Sequence, residues 1–214
     1  MLIDIEGTDG CGKKTQVEML LKHFERLGKK CLVLSFPNYE SDSSAAVKMY
    51  LSGQLGENVK KLDGYQISSL FAVDRLLTMN QTVLDGYDYV LFDRYVLSNM
   101  IHQSTNIKDK NDLDNFLNWV DDFEFNKLKL PRPDKIIFLD MPVEVSLKLA
   151  RARTEYKNGA TKDILEEDTE HMYHAYENAK YVANKFNWEI VNCVDKELKS
   201  IEEIHKEILT KLAD

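Results

Sequence analysis

The chain has 214 residues and a formal net charge of -8 at pH 7, with a sequence pI of about 5.2. That length suits a single α/β domain. The acidic balance argues against a general nucleic-acid or anionic-membrane surface, since counterion release needs clustered Lys and Arg. Cys11, Cys31 and Cys193 are far apart and lack metal-ligand spacing, no apolar run reaches membrane-spanning length, and no secretory signal is visible, so the expectation is a cytoplasmic protein with reduced thiols.

Leu2 to Gln16 reads as strand, glycine loop and helix start. Gly7-Thr8-Asp9-Gly10-Cys11-Gly12-Lys13 matches a loop whose backbone N–H groups close around phosphate oxygens, with Lys13 as cation to the outer phosphates. The helix that follows, with Val17, Leu20, Leu21, Phe24 and Leu27 at helical spacing, aims its positive end at the same anion. One position departs from the pattern. Where Ser or Thr would ligate magnesium stands Lys14, which cannot, and the hydroxyl comes one place later at Thr15.

Gly28, Lys29 and Lys30 stop the first helix, and Cys31 to Phe36 is a second strand. Phe36-Pro37-Asn38-Tyr39 follows at its carboxyl end, where ligands bind in open parallel sheets; taken alone, it reads better as a proline turn with packed rings. Helices are expected over about Ala45 to Ser52 and Leu62 to Leu84. On the longer one Phe71 and Arg75 share a face, a flat ring beside a flat guanidinium, which suits a planar base with carbonyl acceptors; taken alone, they read better as a core ring and a surface ion pair.

Tyr87 to Phe92 is the next strand and ends in Asp93-Arg94-Tyr95. A carboxylate there can reach magnesium or its water ligands, and Arg94 offers a bidentate fork for phosphate. The helix Val96 to Thr105 brings Ser98, Asn99 and Gln103 as hydrogen-bonding groups, with His102 read as a spectator. Asp112 to Phe125 is an amphipathic helix to which no chemistry is assigned. The strand Lys135 to Leu139 ends at Asp140, a weaker candidate than Asp93 for the metal side. After the helix Val143 to Arg153, periodicity is lost over Thr154 to Lys162, a basic lid candidate carrying Arg151, Arg153, Lys157 and Lys162 in or beside it. Leu165 to Phe186 is a long helix whose His171 and His174 are read as exposed, with no third ligand for a metal. Trp188 to Cys193 and Ser200 to Leu212 complete the chain as strand and helix.

Read together, Glu6-Gly7-Thr8-Asp9-Gly10, Phe36-Pro37-x-Tyr39, Phe71-Ala72-x-Asp74-Arg75 and Asp93-Arg94-Tyr95-x-x-Ser98-Asn99 resemble the thymidylate kinase family nearly end to end. The resemblance implies a P-loop NTPase-type three-layer α/β sandwich, a five-stranded parallel sheet with helices on both faces, and a lid at about 152–163. It implies transfer of the γ-phosphoryl of ATP to dTMP with Mg2+, giving dTDP and ADP. Phe71 would stack on thymine, Arg75 would donate to its O4, and Ser98, Asn99 and Gln103 would lie near the base edge, with Tyr176 bordering the pocket. Asp9 would hold the sugar 3'-hydroxyl and contact Arg94, which would grip the acceptor phosphate. Tyr39 would press on the deoxyribose, with Phe36 and Pro37 alongside. Arg153 and the backbone from Val194 to Lys196 would sandwich adenine, and a homodimer would cover the apolar face around Tyr65 to Leu84.

Gly10 and the basic lid match members that place catalytic cations in the lid rather than in the phosphate loop. The two departures, Lys14 and Asn38, leave the metal ligation and part of the acceptor-phosphate charge open, with Asp93 acting through water as the expected compensation. Rival readings are a kinase for another nucleoside monophosphate or for a deoxynucleoside, and a nucleotide-binding module without turnover; no Asn-Lys-x-Asp signature supports a guanine-nucleotide switch.

Overall fold

The structure is a computed structural model that describes residues 1–55, 61–156 and 164–213, and it leaves the side chains of 151, 153–156 and 164–168 undescribed. Five parallel strands, β1 (Leu2–Glu6), β2 (Cys31–Ser35), β3 (Tyr89–Asp93), β4 (Lys135–Asp140) and β5 (Glu189–Asn192), form one sheet in the order β2-β3-β1-β4-β5. The helices are α1 (Lys13–Arg26), α2 (Ala45–Leu51), α3 (Gly64–Gln81), α4 (Leu97–His102), α5 (Lys110–Asp121), α6 (Val143–Tyr156), α7 (Ile164–Lys185) and α8 (Ile201–Ala213).

Alternation along β1 separates two cores, because successive strand side chains point to opposite faces. Ile3 and Ile5 join Leu91, Ile137 and Val191 beneath Val17, Leu20 and Phe24 of α1 and Ile204 and Ile208 of α8. On the other face Phe92 and Phe138 pack with Met100 and Ile101 of α4, Phe116, Leu117 and Val120 of α5, and Ala179 and Val182 of α7. Helices therefore cover both sides of the sheet, as the apolar runs require.

Register is what assembles the site. Ile5 of β1 and Ser35 of β2 both pair with Asp93 of β3, so three strands end in one row. The loops that follow them, at Gly7, Phe36 and Arg94, emerge side by side at the carboxyl edge, where doubly wound sheets bind ligands.

Several boundaries differ from the sequence reading because capping decides them. α3 begins at Gly64 rather than Leu62: Asp63 accepts from the Gln66 N–H while the Gln66 side chain accepts from the Asp63 N–H. α5 begins two residues early because the Asp109 carboxylate accepts from the N–H groups of Asn111 and Asp112. Helix α6 continues through Thr154 to Tyr156, past the expected end at Arg153. The rest of the lid candidate, with Lys157 and Lys162, lies outside the described residues, as do the side chains of Arg151 and Arg153.

Candidate active site

The glycine loop closes on itself. Gly12 caps α1 with φ 95° and leaves the first N–H groups of the helix without side-chain partners, which suits an anion. Gly10, at φ 81°, lies so close to α6 that an added Cβ would sit 2.8 Å from the Ser146 carbonyl oxygen. Only glycine meets both demands. Lys13 is buried and turned inward: its ammonium donates to the carbonyls of Gly7 and Thr8, both at 2.8 Å, and lies 3.8 Å from the Cys11 sulfur.

Two cavities open beside this loop. The smaller, about 190 Å³, is lined by Asp9, Gly10, Gly12, Lys13, Lys14, Thr15, Asp93 and Arg94. The larger, about 560 Å³, runs from Phe36, Pro37 and Tyr39 past Phe71 and Arg75 to Asn99 and Gln103. Asp9, Lys14, Asp93 and Arg94 line both. The two spaces therefore meet at a wall of two carboxylates and two cations.

Arg94 adopts φ 66°, a left-handed conformation unusual for a side chain of its size. Its guanidinium forms an ion pair with Asp9 through one terminal nitrogen, and its other terminal nitrogen donates to the His102 ring at 2.8 Å. Desolvation alone would raise the Asp9 pKa, but the charges of Arg94 and Lys13 hold it at about 2. Glu6 supports this turn from below, accepting from the Tyr95 N–H at 3.1 Å and from the Ser98 hydroxyl at 2.9 Å. Burial raises the Glu6 pKa, against the opposing pull of Arg94 and Lys13.

The base side of the larger cavity is built on α3, whose buried face is polar: Ser68, Asp74, Arg75 and Thr78 turn inward, while Val73 and Leu77 stay exposed. Arg75 is clamped by Glu124, which accepts from its Nε at 2.6 Å and from a terminal nitrogen at 2.7 Å, while the Tyr95 carbonyl takes a third N–H at 3.2 Å. Three of the five guanidinium N–H groups are thus engaged, and Arg75 lines the larger cavity. Asp74 accepts from the Asn38 N–H at 2.9 Å and the Ser43 hydroxyl at 2.6 Å, tying the Pro37–Asn38 turn to α3. Phe71 packs edge-on against Tyr50 of α2 and leaves a face to the cavity.

For a metal, the smaller cavity offers the Asp93 carboxylate and Thr15, oxygen donors suited to a hard cation, and Lys14 lines the same space. Among the described residues no group of three or more His, Cys, Asp or Glu could hold an ion alone. The set fits magnesium that arrives with phosphate and water as its other ligands.

Comparison with known proteins agrees with this arrangement. The thymidylate kinase family model matches residues 5–208. The chain belongs to the thymidylate kinase family. It is 35% identical over 173 residues to a thymidylate kinase of Mycobacterium tuberculosis, covering 79% of each chain. It is 32% identical to a probable thymidylate kinase of Pyrococcus horikoshii over 97% of this chain and 93% of that one, and 24% identical to a thymidylate kinase of Danio rerio over 97% and 87%.

Within this site many of the residues expected from sequence converge, but six of those described line neither cavity: Gly7, Thr8 and Cys11 of the loop, and Tyr176, Val194 and Lys196. Tyr176 donates its hydroxyl to Asp140 at 2.7 Å, so both are engaged with each other. Val194 and Lys196 lie beyond β5, where Val194 bridges to Leu198. Three sequence readings are corrected. His102 is no spectator, since it holds Arg94, and His171 is half-buried on the cavity wall with its ring stacked on His102 at 5.8 Å; only His174 is exposed. The segment Asp112 to Phe125, given no chemistry, carries Glu124 on a π-helical turn over Asp122–Lys127.

Glu6, Asp74 and Glu124 were missed as supports. The signal for Asp74 was present: Ser68, Arg75 and Thr78 recur at helical spacing with it, so a polar stripe marks the buried face of α3.

Proposed function

We propose that the chain transfers the γ-phosphoryl group of ATP to dTMP, giving ADP and dTDP. The observation that supports the reading is the wall shared by the two cavities, where the ends of a donor and an acceptor phosphate would meet between the glycine loop and Arg94. ATP phosphates would lie against the loop and the first N–H groups of α1, with Lys13 leaving its own carbonyls to meet them. The dTMP base would stack on Phe71, with Arg75, Asn99 and Gln103 at its edge and Ser98 nearby. Phe36, Pro37 and Tyr39 would enclose the sugar, Asp9 its 3'-hydroxyl, and Arg94 the acceptor phosphate.

Phosphoryl transfer asks the protein mainly for alignment and charge neutralisation. Lys14 and Arg94 supply two cations at the junction and Lys13 a third beside it in the smaller cavity, so Lys14 contributes charge where a smaller hydroxyl residue would have ligated metal. Magnesium bound with ATP would neutralise phosphate charge, and Asp93, acting through water, with Thr15 beside it, would hold it. Arg153 and the lid at 152–163 would close over the nucleotide, with the backbone from Val194 to Lys196 beside adenine. The exposed Val73 and Leu77 of α3, at 44% and 42%, support a homodimer through that helix. No helix among the described residues is long and apolar enough to cross a membrane, in keeping with a cytoplasmic location.

The test is ADP release with ATP and Mg2+ on dTMP, dUMP, thymidine and GMP. Turnover highest on dTMP supports the reading. A preference for thymidine or GMP moves the chain to a rival kinase class, and ATP binding with no turnover on any acceptor makes it a binding module.

A further inference from the structure

Arg94 is held at both ends of its fork, and the two holders differ in charge. Asp9 takes one terminal nitrogen as a carboxylate; His102 takes the other through Nε2 at 2.8 Å, with the Ser98 hydroxyl at 3.4 Å from the same nitrogen. A guanidinium can only donate, so Nε2 must present a lone pair, which makes His102 a neutral imidazole with its proton on Nδ1. The groups that face it favour that form: burial and Arg94 push its pKa well down, joined by Lys13 and His171, with only Asp9 pulling the other way. Its ring is fixed in plane. His171 of α7 stacks on it at 15° between planes, and the Thr105 hydroxyl lies 3.3 Å from the His171 Nδ1 and bonds the His102 carbonyl at 3.1 Å.

We infer that His102 is a positioning residue for the acceptor phosphate, acting through Arg94: as a neutral acceptor it fixes the second arm of the fork without cancelling the charge. A guanidinium anchored at one nitrogen can pivot, and a second anchor sets its plane. Asp9, Glu6 and Asp93 already place three carboxyl groups near Arg94, and a further one would offset still more of the charge that must bind phosphate. An imidazole accepts the hydrogen bond and leaves the positive charge whole. This inference rests on the reading of Arg94 as the acceptor-phosphate group.

The experiment is steady-state kinetics on dTMP and ATP with His102→Phe, which keeps a ring and removes the acceptor, and His102→Gln, whose amide oxygen restores one. His102→Phe should raise the KM for dTMP about tenfold, the loss of one hydrogen bond to a charged group, with the KM for ATP unchanged. His102→Gln should recover most of that loss. On an Arg94→Lys background, where no fork remains, His102→Phe should add less than about threefold. His102→Leu serves in place of the phenyl variant where the larger ring disturbs the stack on His171.

An unchanged dTMP KM in His102→Phe, equal losses in the Phe and Gln variants, or the full effect on the Arg94→Lys background would each overturn the role of His102. A wild-type protein with no turnover on dTMP would instead overturn the functional reading beneath it.

Discussion

Replacing Glu124 with Leu should be among the most damaging single changes outside the phosphate loop. The carboxylate is fully buried against an Arg75 side chain that is 2% exposed, and it accepts three hydrogen bonds: two from Arg75, at 2.6 and 2.7 Å, and one from the Asn99 amide at 2.9 Å. After Glu124→Leu the guanidinium keeps only the Tyr95 carbonyl at 3.2 Å, whereas Asn99 retains the Ser68 carbonyl at 3.1 Å. Uncovering one member of a buried ion pair costs roughly 3–5 kcal/mol. For a chain of this size that corresponds to a fall in Tm of about 6–20 °C. Removing both members, Arg75→Met with Glu124→Leu, should bring stability back to within about 1 kcal/mol of wild type, because two desolvation penalties disappear with the attraction. Activity should not return with it: if Arg75 is the donor to the base edge, the double variant should show a raised KM for dTMP. Urea unfolding of wild type, the Glu124→Leu variant and the double variant at one fixed concentration, alongside ADP-release kinetics, measures both. A single variant less than 1 kcal/mol below wild type, or a double variant no more stable than the Glu124→Leu single variant, would refute the reasoning.

Asp4 lies in the middle of β1, fully buried, with neither carboxyl oxygen hydrogen-bonded to any of the described residues, and burial and the neighbouring Glu6 raise its pKa well above the usual carboxylate value. Since the folded state holds that proton more tightly, Asp4 weakens the fold progressively as pH rises above 3.8; Asp4→Val should gain roughly 1–3 kcal/mol at pH 8 and less at pH 4 in urea unfolding. Phe71→Ala should lower dTMP affinity by roughly 1–3 kcal/mol, the usual worth of base–aromatic stacking, with ATP affinity unchanged in calorimetry. Gly10→Ala should abolish ATP binding before it unfolds the chain, because both the left-handed backbone and the Ser146 carbonyl oppose a methyl group there. If Asp93 steadies magnesium through water, Asp93→Ala should raise the Mg2+ concentration needed for half-maximal turnover, and an unchanged requirement would remove that role.

What could be read in the sequence followed from short-range rules. Short apolar runs, among them Cys31 to Phe36 and Tyr87 to Phe92, located the strands, and the glycine spacing located the phosphate cradle. Apolar spacing placed α1, α5 and α8 because those helices bury ordinary stripes. α3 was harder to read as a packed element, since its inward face is Ser68, Asp74, Arg75 and Thr78 and its exposed face carries Val73 and Leu77. Long-range pairings were hidden: Glu124 meets Arg75 across 49 positions and Glu6 meets Ser98 across 92. Nothing local distinguishes those carboxylates from solvated ones. His102 was misjudged for the same reason, because its role is set by Arg94 and by a ring on α7 that only folding brings beside it.

The central claim is that one cleft holds both phosphate chains end to end across Asp9, Lys14, Asp93 and Arg94. Competition by a compound joining adenosine and thymidine through a polyphosphate bridge tests it most directly. The account predicts a single binding event per chain, in calorimetry, that displaces ATP and dTMP together. Displacement of only one of the two, or separate binding of two molecules, would contradict it.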